Sequence, residues 1–157
     1  MPDEHSIEVV AIDAEIKIVG LSYEKLGLPA TIESLEKMWA MYGEQYRYRV
    51  ENAVAPHVDY GINANLLTDR HEYIAGCAVT EIGPIPEDWA CFTIPPGKYV
   101  KYTSGTMGGL FENHGEIRAW ARANGTPIYD GFEIEAYSDG AFDGRAVEMY
   151  ILFPVKN

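Results

Sequence analysis

Three shortages in this chain of 157 residues narrow what it can be. Positive charge is the first: 12 Lys and Arg stand against 24 Asp and Glu, a formal net charge of -12. That balance repels phosphate backbones and anionic membrane surfaces, so neither nucleic acid nor membrane is expected as a partner. Cysteine is the second, with only Cys77 and Cys91. The start, Met1-Pro2-Asp3-Glu4-His5, is acidic and carries no apolar stretch, so a secretory leader is not expected and the setting should be cytoplasmic. Both thiols should then be reduced, and one pair without matching His or Cys spacing makes no zinc site. The third shortage is long apolar runs: none approaches the ~20 residues of a membrane-spanning helix. His5, His57, His71 and His114 are scattered and read as surface or capping residues, so no metal is expected. Residues 104–109 are rich in glycine but lack the Lys-Ser/Thr ending of a phosphate loop, so no nucleotide cofactor is expected either.

What remains is an ordinary globular composition, 47% hydrophobic and 23% charged, sized for a single domain over residues 1–157. Residues 7–19, rich in Val and Ile, read as one long strand with a bend, and residues 20–29 as a connection. Thr31 reads as a helix N-cap, and Ile32, Leu35, Met38, Trp39, Tyr42 and Tyr46 recur at helical spacing, which predicts a helix over 31–46. Residues 58–66 and 73–81 read as a hairpin around the polar turn Thr68-Asp69-Arg70-His71. After a proline-rich loop come apolar residues 89–94 and a strand over 98–103. Leu110, Phe111, His114, Ile117, Trp120 and Ala121 predict a second helix, ending near Asn124 with Gly125 as cap. Strands over 132–137 and 146–153 close the chain, joined by a turn over 139–144.

Strand, helix, strand, strand thus occurs twice. The repeat is one of order, without residue identity between the halves. It predicts an α+β domain: an antiparallel sheet with two helices on one side, built from two pseudo-twofold-related halves with a central groove between them. Grooves at such junctions are common ligand sites.

In 132–137, Phe132, Ile134 and Ala136 alternate with Glu133, Glu135 and Tyr137, so Glu135 and Tyr137 share a face. A carboxylate held beside aromatic rings suits an organic cation, because the ring faces attract the charge that the carboxylate neutralises. By local pattern alone, an acidic residue on a strand more often faces solvent.

Several stretches, in order, resemble the GyrI-like effector-binding family, the ligand domain of some AraC-type and MerR-type multidrug-responsive regulators, also known in stand-alone form. They are Ile18-Val19-Gly20-Leu21, Leu35 to Trp39, Tyr60-Gly61-Ile62, Tyr73-Ile74-Ala75-Gly76, Trp89, Thr93-Ile94-Pro95-Pro96-Gly97-Lys98-Tyr99, the helix that carries Trp120, Glu135-Ala136-Tyr137 and Val147 to Pro154. The resemblance implies a central pocket in which a buried glutamate faces aromatic rings and receives flat or lipophilic cations. Glu135 matches the family glutamate, with Phe132-Glu133 as a competing alignment, and Tyr150 matches a pocket-wall tyrosine. Trp39, Tyr60, Trp89, Phe111 and Tyr137 are expected to complete the wall, Trp89 as a lid. The family's DNA-binding module would precede residue 1, so the chain is not expected to act alone as a transcription factor.

Two other functions are implied by branches of the family. One is hydrolysis of strained electrophilic natural products, with the pocket Glu as general base, Tyr60 or Tyr137 as proton donor, and Trp39 and Trp89 as the tryptophan pair. The other is modulation of a protein partner such as a topoisomerase. Binding of an amphipathic cation is the favoured reading, without catalysis, and an exposed sheet edge would allow a homodimer.

Overall fold

The computed structural model describes residues 7–29, 31–54, 58–69, 71–104, 114–138 and 149–156. Among these residues, eight strands form one sheet: β1 (Ile7–Ile12), β2 (Ile16–Ser22), β3 (Val58–Ala64), β4 (Glu72–Val79), β5 (Trp89–Ile94), β6 (Gly97–Ser104), β7 (Glu133–Ser138) and β8 (Met149–Pro154). Every pairing is antiparallel, in the order β1-β6-β8-β7-β3-β4-β2-β5. The helices are α1 (Tyr23–Leu26), α2 (Ile32–Glu44) and α3 (His114–Ala123), with a 3-10 turn over Tyr46–Arg49 after α2.

The predicted repeat is present. β2, α2, β3 and β4 make one half, and β6, α3, β7 and β8 the other. They join where β3 pairs with β7, Gly61 opposite Glu135. α2 starts where expected, with the Thr31 side chain accepting from the Ser34 N–H at 3.1 Å. Leu110 and Phe111, read as the first turn of the second helix, lie outside the described residues, as do the 139–144 turn and the first three residues of the strand predicted over 146–153.

Two expectations change. The connection over 20–29 is in part regular structure: β2 continues to Ser22, which caps the one-turn α1 by accepting from the Lys25 N–H at 3.3 Å. Gly27 ends that turn in the left-handed conformation, φ 71°.

The long strand over 7–19 is broken into β1 and β2, which take different neighbours at opposite ends of the sheet. Its partner, β5 followed by β6, is broken likewise. The two runs stay in antiparallel register on either side of the break, where Asp13, Ala14 and Glu15 stand against Pro95 and Pro96. One extra residue on one strand is a bulge, and it bends the ladder. Proline cannot donate to the ladder, which explains why pairing lapses there.

This arrangement curls the sheet. Three residues reach at most about 14 Å, yet they link strands at the two ends of the order. Inside the curl, Ile18, Ile62, Ile94 and Ile134 are fully buried in one cluster with Tyr60, Tyr99, Ala136 and Leu152, with Tyr150 packed against it. On the other side, β6 and β8 pack on Ile117 and Ala121 of α3, and β2 and β4 on Met38 and Tyr42 of α2. Trp39 touches both of these clusters and bridges the halves. Among the described residues, no helix is long and apolar enough to cross a membrane.

Candidate functional site

Alternation along β7 turns Ile134 and Ala136 into the curl and Glu135 and Tyr137 toward the helices. Glu135 thus lies at the seam between the halves, opposite Gly61 of β3 and Ile151 of β8, and is only 5% exposed. The Tyr73 hydroxyl of β4 donates to its Oε1 at 2.6 Å, and the Tyr137 hydroxyl also bonds to it. Trp39 Nε1 donates to the Tyr73 hydroxyl at 3.0 Å, so the Tyr73 oxygen passes a hydrogen bond from α2 to the carboxylate. The Trp39 ring meets Tyr137 edge-on, centroids 5.6 Å apart, and Tyr73 at 6.4 Å.

Gly61 makes this possible. A Cβ there would occupy the space of the Tyr73 hydroxyl and of Glu135 Oε1. Glycine inside a strand weakens it, and here the missing side chain admits a polar cluster into a buried seam.

Burial pushes the Glu135 carboxyl up to about 7, against the lowering effect of the two tyrosine hydroxyls. Tyr73 and Tyr137 are raised above their ordinary range, first by burial and then by the neighbouring Glu135 charge. Among the described residues, no Lys, Arg or His pairs with Glu135. The site is therefore a carboxyl poised to ionise near neutral pH, walled by rings and short of a counter-charge.

A second buried carboxylate lies on the same side. Asp59 faces Tyr137 across β3 and β7 and is 1% exposed. Its Oδ1 accepts from the Tyr42 hydroxyl at 2.6 Å and its Oδ2 from Arg47 Nε at 3.0 Å. Arg47 comes from the 3-10 turn, so this ion pair ties the end of α2 to the centre of the sheet.

The structure brings together Glu135, Tyr137 and Trp39, and sets Tyr60 and Tyr150 apart from them. Tyr60 and Tyr150 flank Ala136 and lie inside the curl, on the other face of the sheet from Glu135. Their hydroxyls bond to each other, and Lys101 Nζ sits 4.5 Å from the Tyr150 ring centre. The one-residue alternation of strands is the reason: Ala136, not Glu135, is opposite both tyrosines. Trp89 is buried on β5 beside Tyr46. It belongs to the buried cluster that holds Tyr73, with Trp39 packed against it. Phe111 lies outside the described residues.

Tyr73, Gly61, Asp59 and Arg47 were not assigned to the site from sequence. Gly61 carried a signal, since glycine amid strand residues marks close approach. Asp59 carried another, as an acid within a run that reads as buried strand. Arg47 carried none.

The comparison with protein families gives the class of this curled antiparallel sheet with paired strand-helix-strand-strand halves, that of the effector-binding proteins. The family model described as Cass2, integron-associated effector binding protein, matches residues 8–155, and the chain belongs to that family. Among solved structures it is similar to the EcmrR C-terminal domain, with a TM-score of 0.72 at 16% identity, covering 96% of this chain and 97% of that one. It is also similar to the integron cassette protein VCH_CASS2 of Vibrio cholerae, with a TM-score of 0.60 at 15% identity, covering 96% of each chain. A third is SAV2435 bound to tetraphenylphosphonium, with a TM-score of 0.64 at 14% identity, covering 96% of this chain and 94% of that one. Likeness at these identities speaks for the fold. No curated protein matches the chain.

Proposed function

We propose that this domain binds a flat, amphipathic organic cation against Glu135, with Trp39, Tyr73 and Tyr137 as its walls. The observation that carries this reading is a buried carboxyl held by two tyrosine hydroxyls without a cation among the described residues. Burial disfavours its charge, and a bound cation would restore it. Each ring facing the cation adds on the order of 0.5–2 kcal/mol. Few directional bonds are needed, so specificity should be broad. The tetraphenylphosphonium in SAV2435, a lipophilic cation in a protein of the same fold, accords with this reading.

Two consequences follow. Tyr73 and Tyr137 are buried and Trp39 is partly exposed, so a ligand must displace rings to enter. Cation binding near pH 7 should also draw Glu135 fully into its ionised form and release about half a proton.

The test is a thermal-shift series with rhodamine- and acridine-type cations and their neutral isosteres, on wild type and Glu135→Gln. A ligand that binds only the native state raises the melting temperature. Shifts with cations alone, absent in the variant, are expected. Equal shifts with neutral isosteres, or shifts that survive Glu135→Gln, would overturn the reading.

A carboxyl titrating near 7 is also what a general base requires, which favours hydrolysis as a second reading. Tyr73 or Tyr137 would then be the proton donor, since Tyr60 is on the other face. Turnover of an epoxide-type electrophile that disappears in Glu135→Gln would establish it.

A further inference from the structure

We propose a second ligand site, for a small aromatic carboxylate, in the cleft between the bend of β5 and β6 and the end of β8. It encloses about 410 Å³, within the usual range of small-molecule sites. Tyr99, Tyr129 and Phe132 line it together with Pro95 and Pro96, and so do Lys98 and Lys156.

Charge makes the cleft unusual. This chain holds two acidic residues for every basic one, yet two lysines and no acid line this cleft. Three other clefts among the described residues each include a carboxylate: Glu51 and Glu81, Asp130, and Glu15. Among the described residues, neither Lys98 nor Lys156 has an ion pair.

The walls are also held in place. Phe132 packs against Tyr99 at 6.4 Å and Tyr129 at 6.2 Å between ring centres. Tyr129 lies folded over Gly131, where any Cβ would run into its ring, so glycine is what allows this platform. The Tyr99 hydroxyl donates to the Pro95 carbonyl at 2.6 Å, which fixes the ring to the proline corner. Main-chain bonds from Tyr129 to Pro154, Val155 to Lys98 and Lys156 to Pro127, at 2.8, 2.9 and 2.7 Å, bind the three walls together. The rings thus offer an apolar cleft, and the two lysines among its lining residues offer the counter-charge for one carboxylate. A neutral ring system lacks the ionic contact, and a cation is repelled.

The experiment titrates 15N-labelled protein with 2-naphthoate, with 2-naphthylmethanol as the neutral match, on wild type, Lys98→Met/Lys156→Met and the control Lys17→Met. Saturable shifts at the amides of Tyr129, Phe132 and Val155 are expected with naphthoate. Its Kd should weaken about fivefold in the double variant and not in the control, as befits two exposed ionic contacts. Equal affinity for the alcohol, unchanged affinity in the double variant, or the absence of saturable shifts would each overturn the proposal. The methionine stems keep the lysines' apolar packing, and an unchanged wild-type spectrum in the double variant shows that its fold is intact.

Discussion

Asp59 and Glu135 lie on adjacent central strands, face the same side of the sheet, and are both buried, yet they are satisfied differently. Asp59 has an internal cation, Arg47, and one tyrosine hydroxyl. Glu135 has two tyrosine hydroxyls and no cation among the described residues. The first arrangement is complete and makes a structural clamp. The second leaves a charge uncompensated, and a fold tolerates that only because the carboxyl can hold a proton instead. Burial by itself therefore does not mark a ligand site. On the function proposed above, the missing counter-charge does.

Breaking the clamp should give the largest effect. Arg47→Met leaves Asp59 buried without its cation and should cost about 3 kcal/mol. For a chain of this size that is a fall in Tm of roughly 6–12 °C by calorimetry. An unchanged Tm would mean that Asp59 does not depend on Arg47, and the contrast between the two carboxylates would fail.

Next in size is a dependence on pH that only Glu135 should confer. Its carboxyl is raised from 4.5 unfolded to about 7 folded. Its contribution is fully present below about pH 4.5 and is lost as pH rises through about 7, on the order of 3 kcal/mol in all. Subtracting urea-unfolding curves of Glu135→Gln from wild type isolates that slope. Asp59→Asn, by contrast, should be destabilised at pH 8, because it abandons Arg47. A wild type that gains stability between pH 5 and 8 relative to Glu135→Gln would place a hidden cation beside Glu135.

A third test bears on the seam itself. Gly61→Ala pushes a methyl group into the space shared by the Tyr73 hydroxyl and Glu135. It should cost about 1–3 kcal/mol, and more at pH 8 than at pH 5, since the ionised carboxylate suffers most from losing a donor. A variant as stable as wild type would show that the two oxygens can part freely.

Much of this was legible in the sequence, for identifiable reasons. Thr31 and the spacing from Ile32 to Tyr42 announced α2, because capping and periodicity are local. Alternation placed Glu135 and Tyr137 on one face for the same reason. The break between β1 and β2 was not legible, since it depends on Pro95 and Pro96 in a strand some eighty residues away. Tyr60 and Tyr150 were assigned to the wall of Glu135 because rings near a carboxylate look alike in sequence. Only the register, with Ala136 opposite both, sets them on the other face. Tyr73 was missed because its role needs three strands and α2 to meet at Gly61.

The finest distinction concerns what the Tyr73 hydroxyl does. It accepts from Trp39 and donates to Glu135, so Tyr73→Phe removes two hydrogen bonds with one oxygen. The fold should lose only about 1 kcal/mol, because Trp39 is partly exposed and its N–H can reach water. The informative readout is the Glu135 carboxyl, which that hydroxyl holds down against the effect of burial. Without it the Glu135 pKa should rise further above 7, seen by NMR titration of the labelled side chain. Cation affinity at pH 7 should then fall, since more of the carboxyl is protonated, and recover at pH 9. A pKa that stays put would assign the restraint to Tyr137 alone. An affinity loss that persists at pH 9 would make Tyr73 part of the contact surface rather than a tuner of its charge.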